Sequence, residues 1–78
     1  MGGVMAKDPI KFSIEKHIGV LSTSSKGWQK EVNLVSWNDR PAKVDIREWD
    51  EDHEKMGKGL TFSKQETEKL IELLKGIG

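Results

Sequence analysis

The sequence predicts an α+β domain: a four-stranded antiparallel curved sheet followed by one C-terminal helix, in the order β-β-β-β-α, assembled as a dimer. Three observations carry this. Apolar and polar residues alternate in four short stretches, which is the period of half-buried strands. Gly, Ser, Asn, Asp and Pro cluster between those stretches. Ser63-Lys64-Gln65-Glu66 is a capping box at the head of an amphipathic run.

Residues 1–9 are Gly-rich and lack periodicity, so they read as a flexible N-terminal arm, and 10–78 as the domain. Ile10, Phe12, Ile14, Ile18 and Val20 alternate with Lys11, Ser13, Glu15, His17 and Gly19, which predicts a long first strand. Lys16 interrupts its apolar side, and Gly19 offers a place for a bend or bulge. Thr23 to Gly27 is a turn. The second strand runs from Trp28 to Trp37, with Val32 and Leu34 on one face and Asn33, Val35 and Trp37 on the other. Asn38-Asp39-Arg40-Pro41 makes the next turn. Lys43 to Trp49 is the third strand, Asp50 to Glu54 an acidic loop, and Gly57 to Phe62 the fourth strand. This alternation assigns Val32, Leu34, Val44 and Ile46 to the core. It leaves Trp37, Lys43, Asp45, Arg47 and Trp49 on a face that meets water.

The helix is expected from its Ser63 cap to about Lys75, with Gly76 as its stop. At 100° per residue, Leu70, Ile71, Leu73, Leu74 and Ile77 span an arc of roughly 160°. One sheet needs a narrower stripe. Leu70, Leu73, Leu74 and Ile77 are therefore the expected dimer interface.

Composition points the same way. A chain of 78 residues buries only about 60–65% of its unfolded surface. With 35% hydrophobic residues and no cysteine, a lone protomer is marginal. Thirteen basic residues balance thirteen acidic ones, so total charge selects no partner. Between Ile10 and Trp49, however, seven Lys or Arg face five Asp or Glu, which permits a basic patch on the sheet. No apolar run matches a membrane span, and Ala6 stands where a myristoylation motif needs Ser or Thr. The expectation is a cytoplasmic protein with no membrane partner, no small-molecule substrate and no cofactor.

Trp37 and Trp49 among Lys43 and Arg47 form the one constellation that needs a function. Flat rings stack bases and cations meet phosphates, which suits single-stranded nucleic acid. The bland alternative buries one or both rings in a second core or interface. Trp28, beside Gly27, reads as core or rim. Other motifs fail on inspection. Asp50, Asp52 and Glu54 have the spacing of a calcium loop, but Lys55 and Thr61 stand where glycine and glutamate belong. His17 and His53 are far apart in sequence and lack companion ligands, so no metal is expected. Gly57-Lys58-Gly59 is not a phosphate loop, although its glycines would let a nucleic-acid backbone approach Lys58. No nucleophile–base pair is visible, which argues against an enzyme.

Asp45-Ile46-Arg47-Glu48-Trp49, the acidic loop, Gly57-Lys58-Gly59-Leu60 and the capped helix together resemble the Positive Cofactor Four transcriptional coactivator family. The bacterial YdbC-like members are the branch it looks most like. The likeness runs from about Val32 to Leu74, with a looser match back to Phe12. It implies the β-β-β-β-α fold, a homodimer built through the helices, and single-stranded DNA bound on the curved sheets. It also implies binding roles for Arg47, Trp49 and Lys58, and for Trp37, Arg40 and Lys43 around the second hairpin. Where the eukaryotic members carry an adjacent aromatic pair, this chain has only Trp49, and its hairpin is less basic. DNA binding carries over from the resemblance; coactivation does not. The expected function is sequence-tolerant binding of single-stranded DNA. The alternatives are an RNA-binding module of the same fold and a protein-interaction domain using the tryptophan face.

Overall fold

The computed structural model describes residues 11–78, so the arm at 1–9 lies outside the described residues. The chain runs β1 (Phe12–Thr23), β2 (Gln29–Trp37), β3 (Lys43–Trp49), β4 (Met56–Phe62) and α1 (Lys64–Lys75). The strands form one antiparallel sheet in sequence order, β1-β2-β3-β4. Each turn has its own chemistry. Gly27 takes φ +88° between β1 and β2, a conformation that is free for glycine. Asn38 and Asp39 both sit at positive φ, and the Arg40 amide donates to the Trp37 carbonyl at 3.0 Å. Two left-handed residues inside that bond make a turn whose twist suits a hairpin.

β1 departs from simple alternation. It spends twelve residues against nine of β2, with register shifts between Ile14 and Lys16, His17 and Gly19, and Val20 and Ser22. Glu15, Ile18 and Leu21 are the extra residues. Ile14, His17 and Val20 therefore oppose Val35, Asn33 and Glu31, so the facing residues recur every third position. Gly19 offers a place for a bend or bulge; the strand carries three register shifts, one of them beside Gly19, and none of the extra residues is glycine. Bulges bend a strand and increase its coil.

The result is a sheet curled inward. Phe12 pairs with Trp37 at one end of β2, and Trp49 pairs with Gln29 at the other. Eight residues of flat strand would separate these ends by about 26 Å. Yet the rings of Phe12 and Trp49 are 5.2 Å apart, and those of Phe12 and Trp37 5.9 Å.

Curling reverses the assignment of the faces. The concave face carries the deepest burial: Val35 and Trp49 among apolar residues, with Glu31, Asn33 and Asp45 among polar ones. Val32, Leu34, Val44 and Ile46, expected as the core, lie on the convex face and are only half-buried. Among the described elements, α1 touches β3 and β4 alone. Its first turns share a cleft with Leu34, Val44 and Phe62, and none of its residues is buried. The capping box forms as expected: Ser63 Oγ accepts from the Glu66 amide at 3.0 Å, and Glu66 Oε1 from the Ser63 amide at 2.9 Å. Among the described residues, no helix is long and apolar enough to cross a membrane.

Candidate nucleic-acid interface

The concave face is polar at its floor because alternation on β2 and β3 puts Glu31, Asn33, Asp45 and Arg47 there. Burying such groups is costly unless each finds a partner. Asn33 Nδ2 donates to Glu31 Oε1 at 3.1 Å, and Asn33 Oδ1 meets His17 Nδ1 at 2.8 Å. His53 Nε2 lies 3.0 Å from both Glu31 oxygens. The two histidines that are remote in sequence thus converge on one carboxylate. His53, at φ +57° in the β3–β4 loop, bonds Glu31 directly, while His17 Nδ1 stands 3.6 Å from Glu31 Oε1 and is linked to it through Asn33.

Asp45 organises the other half of the floor. Arg47 Nε donates to Asp45 Oδ1 at 2.7 Å, and Nη2 to Oδ2 at 2.9 Å. Thr61 Oγ1 adds a bond to Oδ2 at 2.8 Å. Arg47 Nη1 donates to the Gly57 carbonyl at 3.3 Å. Its guanidinium carbon stands 4.8 Å from the centroid of the Trp37 ring, within cation–π range. A Cβ on Gly59 would fall on the Arg47 Cβ and 2.5 Å from the Ile46 carbonyl oxygen. Glycine there is what lets β4 run beside Arg47.

Above this floor opens a groove of about 300 Å³, lined by Trp37, Arg40, Pro41, Lys43, Arg47, Met56 and Thr61. It gathers four of the expected binding residues: Trp37, Arg40, Lys43 and Arg47. Arg40 and Lys43 are exposed on its rim, and Trp37 is half-buried in its wall. Lys58 is exposed but does not line the groove. It stands where Gly57 and Lys58 together face Glu48 across a bulge.

Trp49 is placed differently from the expectation. It was read as a stacking platform, and its side chain is fully buried. Phe12 packs on it at 5.2 Å and His53 at 5.7 Å, which leaves no ring face for a base. Curling of the sheet is the cause, because it carries β1 and the acidic loop over the end of β3. Trp28 is half-buried beside Ser24, Ser25, Lys26 and Glu48, at the rim of the sheet.

Sequence reasoning missed Asp45, Thr61, Met56 and Pro41 as parts of the site. Alternation could have found Asp45 and Thr61, since both share parity with Arg47 across β3 and β4. Nothing local marks Met56. The acidic loop is held together from within. Asp50 Oδ1 accepts from the amides of Glu54 at 2.8 Å and Lys55 at 3.0 Å, and these bonds hold its carboxyl below the ordinary 3.8.

Comparison with known proteins adds two findings. A family model described as Transcriptional Coactivator p15 (PC4) matches residues 24–73, a span that contains every lining residue of the groove. An uncharacterized protein of Treponema pallidum (strain Nichols) is 43% identical over 76 residues, covering 97% of this chain and 88% of that protein.

Proposed function

The chain belongs to the transcriptional coactivator p15 (PC4) family, a non-enzymatic family of nucleic-acid-binding proteins, and from that premise we propose that it binds single-stranded DNA with little sequence preference. The observation that carries this reading is the convergence of Trp37, Arg40 and Lys43 on one open groove. The open part of a half-buried indole gives a base a surface to stack on, and two exposed cations on the same rim meet the phosphates beside it. Such contacts ask nothing of base identity, since every base has a π-face. Duplex DNA hides its bases and offers only phosphates. Lys58, exposed on β4 outside the groove, would extend the phosphate path. With no net charge on the chain, attraction rests on this local patch. On this reading the protein works in the cytoplasm.

We infer further that the working unit is a homodimer. Val35 and Trp49 are the only fully buried apolar side chains among the described residues. Leu60 is 65% exposed on the convex face, Leu73 and Leu74 on α1 are 61% and 53% exposed, and Ile77 just after the helix is 84% exposed. A second copy seated on this surface supplies the core that one protomer lacks.

A tryptophan-fluorescence titration with oligo-dT, oligo-U and duplex tests the reading. Oligo-dT is expected to bind tightest. Trp37→Ala should weaken it about ten- to a hundredfold, the worth of one stacked base. Lys43→Ala should flatten the salt slope by about 0.7, one phosphate contact on a single strand. Preference for oligo-U would reassign the ligand to RNA. Failure of all three nucleic acids would leave the face to a protein partner.

A further inference from the structure

We propose that Asp45 and Thr61 are positioning residues for Trp37, acting through Arg47, and that Arg47 supports the ring instead of contacting phosphate. This rests on the reading of the groove as a single-strand site. The resemblance that points to nucleic acid casts Arg47 as a binding cation, and its geometry argues for another role.

A guanidinium has five N–H donors. They make four bonds inside the protein: Nε and Nη2 each donate to Asp45, and Nη1 donates to the Gly57 carbonyl and to Met56 Sδ. The Arg47 side chain is 14% exposed, and that of Asp45 is fully buried. A phosphate arriving here meets an arginine whose charge is answered by a carboxylate 2.7 Å away. Arg40 and Lys43, exposed on the rim, carry no such partner among the described residues' salt bridges. The attraction that a phosphate feels comes from them.

What Arg47 does offer is a flat surface in a fixed place. Its fork is held by the two bonds to Asp45, and its guanidinium carbon lies over the Trp37 ring, 4.8 Å from the centroid. Arginine planes stack on aromatic faces, and lysine lacks the plane and the fork. Arg47 thereby backs Trp37 and Phe12 packs against it at a tilt, 5.9 Å away, so a base must take the part of the ring that opens into the groove. Asp45 holds the fork, and the hydroxyl of Thr61, at 2.8 Å, holds Asp45. The chain of contact runs Thr61, Asp45, Arg47, Trp37, from β4 across β3 to the end of β2.

The test compares wild type with Arg47→Lys, Arg47→Ala, Asp45→Asn and Thr61→Val. Each is titrated with oligo-dT at several salt concentrations. The indole N–H signal of Trp37 is followed by ¹⁵N NMR and assigned by its loss in Trp37→Phe. Arg47→Lys keeps the charge and loses the fork. It is expected to bind about tenfold weaker, as Arg47→Ala does, with both keeping the wild-type salt slope. Asp45→Asn and Thr61→Val should shift the Trp37 signal before any DNA is added and weaken binding in the same order. Thr61→Val removes a single hydroxyl and keeps the test decisive if Asp45→Asn does not fold. Three results would overturn the inference: Arg47→Lys binding as wild type, Arg47→Ala flattening the slope by about 0.7, or Asp45→Asn binding more tightly because a freed Arg47 reaches phosphate. An unmoved Trp37 signal in Arg47→Lys and Thr61→Val would overturn it as well. If wild type binds no oligonucleotide, the single-strand reading fails, and the Trp37 signal alone still decides whether the positioning chain exists.

Discussion

Gly59 is the residue whose identity the geometry constrains most tightly. Its φ is ordinary, so conformational freedom is not the reason for glycine here. The reason is space: a Cβ at this position would occupy the place of the Arg47 Cβ and crowd the Ile46 carbonyl. Both obstacles are close to backbone and cannot swing aside as the tip of a long side chain does. Gly59→Ala should therefore push β4 away from β3 and cost about 1–3 kcal/mol, as overpacking does elsewhere. Urea unfolding of the variant measures this directly. A midpoint equal to wild type would mean that β4 shifts freely, and that Arg47 is less fixed than its hydrogen bonds imply.

The β3–β4 connection behaves as an element in its own right. Asp50 closes it by accepting from two backbone amides, while its own amide donates to the Lys55 carbonyl at 3.1 Å. The bonds from the Lys55 and Glu54 amides are stronger to the ionised carboxylate, so folding lowers the pKa of Asp50 from 3.8. A depressed value in the folded state means stability present above the ordinary carboxylate range, and lost as pH falls through the folded value. Asp50→Ala should consequently have a lower Tm than wild type at pH 7. The difference should shrink as the solution is taken well below pH 3.8. A difference independent of pH would assign the loss to the loop's packing and not to its charge. The loop matters beyond itself, because it carries His53 onto Glu31 and over Trp49. The acidic run that reads in sequence as a solvated connector is also the lid of the protomer's interior.

At the scale of the whole molecule, the chain is a curled sheet with its best-buried residues inside the curl and a helix that buries none of its own. Apolar area left outside is the expected signature of an obligate partner, and burial of each leucine contributes about 1.5–3 kcal/mol. Sedimentation at micromolar concentration should give twice the 8.8 kDa chain mass. Leu73→Asp should shift the protein toward monomer and lower its stability. Leu60→Asp should do the same if the second copy also covers the convex face of the sheet, where Leu60 is 65% exposed. A wild-type monomer at that concentration would sink the dimer and leave the exposed leucines unexplained.

The residues alone determined the elements. Alternation placed β3 where it lies, the capping box fixed the start of α1, and Asn38-Asp39 marked the tight turn, because each of these is decided within a few residues of chain. The same local logic put Trp37, Lys43 and Arg47 on one face, and the groove gathers them. The curvature was not local in this sense. Three bulges in β1 arise from matching twelve residues to nine, and that is a property of two strands together. Once the sheet curls, inside and outside exchange. The face marked as wet by its charges closes over Trp49, Glu31 and Asp45, and the apolar face of Val32, Leu34, Val44 and Ile46 turns outward. Parity tells which side chains share a side of a sheet. Only the tertiary structure tells which side is concave, because burial depends on what lies across the curve and not on the residues along the strand.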